Sequence, residues 1–270
     1  MAGGTQKVTG AGGVRLAVDA TGHGDPVVLL HGSLLSRAVW RGSGYVQPLL
    51  QAGYQVVRMD LRGHGRSDAP HDPAAYTQDA FVEDLLAMLR ALDLERVAVI
   101  GYSIGARVAL TAALSAPQQV RGIVCLGGSA ARQQGALDRI FFPGAVHTLR
   151  EKGMEAFCRA QGLGPEVSGE RAAATRAAFL ASDPQAMAAM FTATDATAAV
   201  PEEDLASCQV PALWMAGDRD VPRVEESRQA AERMPLGRFV VLPGRDHGGT
   251  LVPPGPVLDE ILPFLEGLPR

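Results

Sequence analysis

The sequence is poor in cysteine and in aromatic residues. Its three cysteines, Cys125, Cys158 and Cys208, are far apart in 270 residues and odd in number. That arrangement argues against a disulfide framework or a thiolate metal site and for reduced thiols in a cytoplasmic protein. Cys125 falls in an apolar run and reads as core. Aromatic residues make up only 5% of the chain, while Ala and Gly are abundant. Positive charge is nowhere concentrated, and the net charge is −4. The chain therefore lacks the electrostatic footprint of a nucleic-acid or anionic-membrane partner. No apolar run is long enough to span a bilayer. The opening residues, Met-Ala-Gly-Gly-Thr-Gln-Lys-Val, lack the apolar stretch of a secretory signal. No His, Cys or Glu cluster stands at ligand spacing, so no metal is expected. The glycines near 101–105 lack the longer spacing that cradles a pyrophosphate, so no nicotinamide or phosphate cofactor is expected either.

What the chain has is apolar content, 47% of its residues, enough for one large α/β domain with an inserted subdomain. The most informative stretch is 97–110. Val97 to Ile100 is a β-branched run that reads as a buried strand, and Ala106 to Ala113 reads as a helix. Between them lies Gly101-Tyr102-Ser103-Ile104-Gly105, a G-x-S-x-G pattern. It describes a tight strand-to-helix turn that holds a serine in a strained conformation with its hydroxyl exposed. A Cβ at either glycine would crowd the neighbouring chain. The following helix directs its N-terminal amides and dipole toward the serine.

A nucleophile needs an oxyanion hole, an acid and a base. Val27 to Leu30 reads as a strand that runs into His31-Gly32-Ser33-Leu34-Leu35-Ser36. The backbone amides of Ser33 and Ile104 are the candidate oxyanion donors. His31 reads as a turn-fixing histidine, and Trp40 as packing over the loop or the pocket mouth. Tyr54 to Met59 is a further strand, followed by Asp60-Leu61-Arg62-Gly63-His64-Gly65-Arg66-Ser67-Asp68. This reads as a structured turn with an internal Asp–Arg pair. Tyr76 to Leu92 is an amphipathic helix with Phe81, Leu85, Met88, Leu89 and Leu92 on one face.

Those segments together resemble the α/β-hydrolase fold superfamily, in its branch of small intracellular esterases, lactonases, carbon–carbon bond hydrolases and cofactor-free peroxidases. The resemblance covers roughly 25–130 and 205–265. It implies an α/β fold with a mostly parallel central sheet flanked by helices and an inserted helical cap. The core domain would be 1–129 and 206–270, and the cap 130–205. Within the cap, helices are expected at about 136–161, 170–182 and 184–194, the last begun by Asp183-Pro184. His147 reads as a surface or cap residue. Among its apolar residues Phe141, Phe157 and Met190 are taken, with Leu34 and Tyr102, as substrate-binding candidates. Phe142, Met154, Phe179, Met187 and Phe191 could line the pocket too, though most of the eight apolar cap residues are expected to pack the cap onto the core.

By the same resemblance the acid sits after a late strand, here Val210 to Ala216. The pattern Gly-x-x-Asp selects Asp220, with Asp218 the runner-up. His247, on a loop after Phe239 to Leu242, completes the order Ser103, Asp220, His247 as general base. Asp246 reads as a loop hydrogen-bonder. Serine at the elbow, where an aspartate would resemble an epoxide hydrolase or haloalkane dehalogenase, points to acyl transfer through an acyl-enzyme. The Ala-rich, apolar cap favours a small or medium uncharged acyl group. Carbon–carbon hydrolysis, perhydrolysis, acyl transfer, a lyase or cyclase step, and a ligand-binding scaffold remain open alternatives.

Overall fold

The computed structural model describes residues 4–269. Eight strands form one sheet: β1 (Gln6–Thr9), β2 (Arg15–Thr21), β3 (Pro26–Leu30), β4 (Gln55–Met59), β5 (Val97–Tyr102), β6 (Val120–Leu126), β7 (Ala212–Gly217) and β8 (Gly237–Leu242). Their order is β1-β2-β4-β3-β5-β6-β7-β8. β1 and β2 form an antiparallel hairpin, β2 runs antiparallel to β4, and every later pairing is parallel. The helices are α1 (Ala38–Gly42), α2 (Val46–Gln51), α3 (Gln78–Ala91), α4 (Ile104–Ser115), α5 (Ala136–Ile140), α6 (Ala145–Ala160), α7 (Glu170–Leu180), α8 (Pro184–Asp195), α9 (Glu202–Ser207), α10 (Arg223–Arg233), α11 (His247–Leu251) and α12 (Gly255–Glu266).

The central strands are apolar without alternation because helices cover both faces. Side chains still alternate in direction. Val28, Leu30, Val57, Met59, Val99, Cys125 and Trp214 enter one core, with Phe81, Leu85, Met88 and Val108 of α3 and α4. Val27, Leu29, Val56, Ala98, Ile100, Val124 and Met215 enter the other, with Trp40, Val46, Leu49, Val257 and Ile261 of α1, α2 and α12. Trp40 is therefore a core residue, edge-on to Tyr45 at 5.1 Å, and not part of a pocket mouth. α3 starts where the Thr77 side chain accepts from the Ala80 amide, which satisfies one of the helix's free donors.

Helices α5 to α9 lie between β6 and β7. The helix expected over 136–161 is split at Phe141-Phe142-Pro143-Gly144. Pro143 has no N–H to offer and Gly144 takes φ +83°, so the two pieces change direction there. α8 begins at Pro184, with Asp183 accepting from the Gln185 and Ala186 amides. The cluster at 60–68 also differs from expectation. Asp60 pairs with Arg37, not Arg62. Arg62 reaches instead to Asp84 on α3, Nε to Oδ2 at 2.7 Å and Nη2 to Oδ1 at 2.6 Å. Among the described residues, no helix is long and apolar enough to cross a membrane.

Candidate active site

The parallel register aligns the carboxyl ends of β3, β5, β6 and β7, and the site is built there. β5 ends at Tyr102 and α4 begins at Ile104. Ser103 joins them with φ 55° and ψ −114°, a left-handed conformation that a non-glycine residue adopts under strain. Close backbone approach enforces it. A Cβ on Gly105 would lie 2.3 Å from the Leu30 carbonyl oxygen, and one on Gly101 would lie 2.2 Å from that of Gly105. The Ser103 amide donates to the Leu126 carbonyl at 2.9 Å, anchoring the turn to the end of β6.

Ser103 Oγ stands 3.1 Å from His247 Nε2, and His247 Nδ1 stands 2.8 Å from Asp220 Oδ2. With a neutral imidazole, Nδ1–H donates to the carboxylate and Nε2 accepts from the serine hydroxyl. Asp220 is buried and follows β7; its amide donates to the Gly217 carbonyl and its own carbonyl accepts from Val224. His247 is the first residue of the one-turn α11, not a loop residue. Asp246 caps that helix by accepting from the Gly249 amide at 2.6 Å. Asp218 is exposed and only holds the Gly244 amide at 2.7 Å, so the two aspartates have separate tasks.

Two residues that the sequence reading did not single out support this chain, and a third, Arg107, lies close to it. Thr250 Oγ1 accepts from the Gly217 amide at 3.1 Å, fastening α11 to β7. Gly127, at φ +56°, packs so closely that its Cβ would fall 3.1 Å from His247 Cε1. Arg107 lies one helical turn after Ser103, and that spacing was the signal available to find it. Tyr102 donates its hydroxyl to the His247 carbonyl at 3.0 Å, while its ring lies 5.2 Å from the imidazole. Burial raises its pKa well above the ordinary tyrosine value, so the hydroxyl keeps its proton.

A cavity of about 840 Å³ opens on Ser103 and His247, within the size range of small-molecule sites. Ser33, Tyr102, Ile104 and Phe141 line it. Ile104 is the first residue of α4, so its N–H has no carbonyl one turn back to receive it. Leu34, Phe157 and Met190 do not line the cavity, which corrects their assignment as substrate contacts. All three are fully buried in the apolar core. Leu34 turns inward at φ 62° and leaves Leu35 at the wall. Phe157 sits at the centre of an aromatic cluster, 5.3 Å from Phe141, 5.2 Å from Phe142 and 6.2 Å from Phe179. It fills the insertion's own core. Phe179, one of the cap residues that could line the pocket, reaches the cavity wall. Exposed His147 does not line this wall, and among the described residues no three His, Cys, Asp or Glu side chains are grouped as a metal would require.

His31 lies beside the site but is committed elsewhere. Its Nδ1–H donates to the Gly32 carbonyl at 2.8 Å and its Nε2 accepts from the Leu61 amide at 3.1 Å. Burial lowers its pKa from 6.5 to about 4. It is a neutral, turn-fixing histidine.

A sequence profile for the alpha/beta hydrolase fold matches residues 25–153. Over 119 residues the chain is 33% identical to a 2-hydroxymuconate semialdehyde hydrolase from Pseudomonas sp., covering 44% of this chain and 42% of that protein. The matches to curated relatives thus span about two fifths of those proteins' length. Among solved structures, a hydrolase from Pseudomonas aeruginosa superposes with a TM-score of 0.85 at 25% identity, covering 98% of this chain and 99% of its own. The esterase RhEst1 from a Rhodococcus species superposes with a TM-score of 0.80 at 27% identity, covering 98% and 99%. The sheet order, the serine elbow and these likenesses agree, and the chain has the alpha/beta hydrolase fold.

Proposed function

We propose that the protein is a serine hydrolase that cleaves a small or medium carboxyl ester or lactone through an acyl-enzyme on Ser103. The observation that carries this reading is the unbroken hydrogen-bond chain from Ser103 through His247 to Asp220, with the serine opening on the cavity. His247 Nε2 takes the hydroxyl proton as Ser103 Oγ attacks the carbonyl carbon. Asp220 holds the imidazole in the productive tautomer and stabilises the imidazolium. The amides of Ser33 and Ile104 receive the oxyanion, where charge develops only in the transition state. His247 then protonates the leaving group and afterwards activates the water that releases the acid. None of these steps calls on a metal or an organic cofactor.

The insertion at 130–205 acts as a cap in this reading. It contributes Leu137, Ile140, Phe141, Ala178 and Phe179 to the cavity wall, an apolar flank suited to a hydrocarbon part of the substrate. Three free, buried thiols support a reducing, cytoplasmic setting. Hydrolysis of a carbon–carbon bond on the same triad is the second reading, supported by the name of the Pseudomonas sp. relative, a hydrolase of 2-hydroxymuconate semialdehyde, a compound with no ester bond to cleave. A pure binding scaffold would have no use for a serine, histidine and aspartate held at hydrogen-bond distance.

Intact-mass analysis after fluorophosphonate treatment tests the proposal. One adduct on the wild-type protein, absent in Ser103→Ala and much slower in His247→Ala, is the expected result. A folded wild-type protein that takes no adduct would overturn it.

A further inference from the structure

One end of the cavity carries charge that the triad does not use. Arg107 and Arg223 both line it and are 7% and 6% exposed, and Ser129 and Gln133 beside them are equally buried. Arg107 shares a helix face with Ser103, since its amide donates to the Ser103 carbonyl at 3.2 Å. Side chains on α4 lean toward the helix N-terminus, which is the Ser103 end. Arg223 stands three residues past Asp220. Both arginines therefore line the cavity that opens on Ser103, Arg107 from α4 and Arg223 from the first turn of α10.

Their partners leave the pair unbalanced. Arg223 donates Nη1 to Glu226 at 2.6 Å and Nη2 to Gln133 Oε1 at 2.8 Å. Arg107 donates only to neutral carbonyls, those of Ser129 at 3.0 Å, Ala131 at 3.1 Å and Ala198 at 2.6 Å. Among the described residues, the Arg223–Glu226 ion pair has no counterpart at Arg107. The Nε of each arginine is buried with no hydrogen-bond partner. The Ser129 hydroxyl accepts from the Ala131 amide and from Gln133 Nε2, which leaves its own proton free to donate. A buried cation without a counter-ion is strongly unfavourable, and so is a buried N–H without an acceptor. Burial, with Arg223 adding to it, lowers the Arg107 pKa to about 10, so the group stays charged at neutral pH. An anion arriving with the substrate would supply the counter-charge that Arg107 lacks and an acceptor for the Ser129 hydroxyl.

We propose that this end of the cavity binds a carboxylate carried by the substrate, so that the ester or lactone cleaved is a monoanion whose carboxylate lies a few bonds from the scissile carbonyl. This rests on the serine-hydrolase reading and replaces the expectation of an uncharged acyl group. A carboxylate fits better than a phosphate dianion because only one of the two cations lacks a counter-ion. The apolar flank, with Phe141 and Phe179, receives the remainder of the substrate.

The test uses the full chain and a series of paired substrates followed by acid release. Monomethyl succinate, glutarate and adipate are compared with methyl butanoate, pentanoate and hexanoate. The wild-type kcat/KM should favour the charged member at one chain length. Arg107→Gln should lower the charged-to-neutral ratio by at least about tenfold, chiefly through KM, with partial recovery in Arg107→Lys. Arg107 also ties together the two roots of the insertion, but loss of that role alone would reduce both members of a pair alike. Should Arg107→Gln not fold, the wild-type protein decides. Adipate should raise its melting temperature and inhibit competitively where neutral adipamide does neither. Ester turnover with no charged preference and no adipate effect overturns the proposal and leaves the hydrolase reading intact. If neither turnover nor a Ser103 adduct is found, a rise with adipate alone keeps the anion site and discards the hydrolase; no rise discards both.

Discussion

Lowering the pH from 7 to 5 should remove about 4 kcal/mol of folding stability through two histidines that fold in their neutral form. His31 and His64 are both fully buried, with ring centroids 4.9 Å apart. Burial, the largest cause in each, lowers His31 from 6.5 to about 4 and His64 from 6.5 to about 3. The hydrogen bonds agree. His31 Nε2 accepts the Leu61 amide, so protonating it would replace a hydrogen bond with two opposed donors. His64 uses Nδ1–H toward the Arg62 carbonyl at 2.9 Å, and its Nε2 is buried without a partner. Between pH 6.5 and 4 the unfolded chain binds up to one more proton at each histidine than the folded chain does. Stability from these groups is therefore complete above that window and falls by up to about 1.4 kcal/mol per pH unit per histidine as pH drops. The rounded upper edge leaves about 2 kcal/mol lost for each by pH 5. Typical domain stabilities of about 5–15 kcal/mol make this a large fraction.

Urea unfolding at intervals from pH 8 to 5 measures it, and His64→Asn separates the contributions. The asparagine amide can still donate to the Arg62 carbonyl but does not titrate, so the slope should halve. Asp84, raised by burial against the pull of Arg62, works in the opposite sense. Because it is common to both proteins, the difference between their slopes isolates His64. A stability that stays level from pH 7 to 5, or a variant with the wild-type slope, would refute the reasoning. The effect reaches the active site because His31 begins the loop carrying the Ser33 amide, so activity should be lost in the same window.

Two further outcomes follow from packing. Gly127→Ala would place a methyl group at φ +56°, 3.1 Å from His247 Cε1 and 3.2 Å from Asp220 Oδ2; by displacing the proposed base it should lower kcat at least about tenfold with KM nearly unchanged, and steady-state kinetics that match wild type would show the pair tolerates the shift. Asp84→Ala would leave the buried Arg62 guanidinium without its carboxylate and should lower stability by about 3–5 kcal/mol at pH 7; a loss under about 1 kcal/mol, read by urea unfolding, would contradict a tightly coupled buried pair.

Much of the fold was legible because its signals are local. Parallel strands buried on both faces must be apolar throughout, and β3, β5, β6 and β7 each stand out as such runs. Ser103 was legible because the elbow pattern is contiguous: Gly101 is required by the Gly105 carbonyl one turn on, and Gly105, although its close contact is the distant Leu30 carbonyl, falls inside the same five residues. What was hidden depends on distant partners. Arg62 has Asp60 two residues away in sequence, yet its guanidinium plane meets Asp84, because α3 is packed beside the turn. Phe157, Met190 and Leu34 carry the composition of a pocket wall, but apolar content says only that a side chain leaves water. Whether it enters a core or a cavity is decided by which helix covers it. The break at Pro143-Gly144 was written in the sequence and outweighed there by the helical periodicity on either side.

Arg107 shows how these two kinds of information meet in the proposed site. Its position four residues after Ser103 is local, but an arginine at that point of a helix ordinarily faces solvent. It is buried here because Ser129 just before the insertion, Ala131 at its start and Ala198 near its end supply its acceptors. The same contacts that root the insertion over the serine therefore create the uncompensated charge in the cavity. Under the proposed mechanism, the reaction chemistry is fixed by strand ends and the elbow, whereas substrate charge selection is tied to where the insertion is rooted. A substitution that loosens those roots should relax the preference for an anionic ester while leaving the Ser103–His247–Asp220 geometry in place, because none of the three triad residues hydrogen-bonds to the insertion.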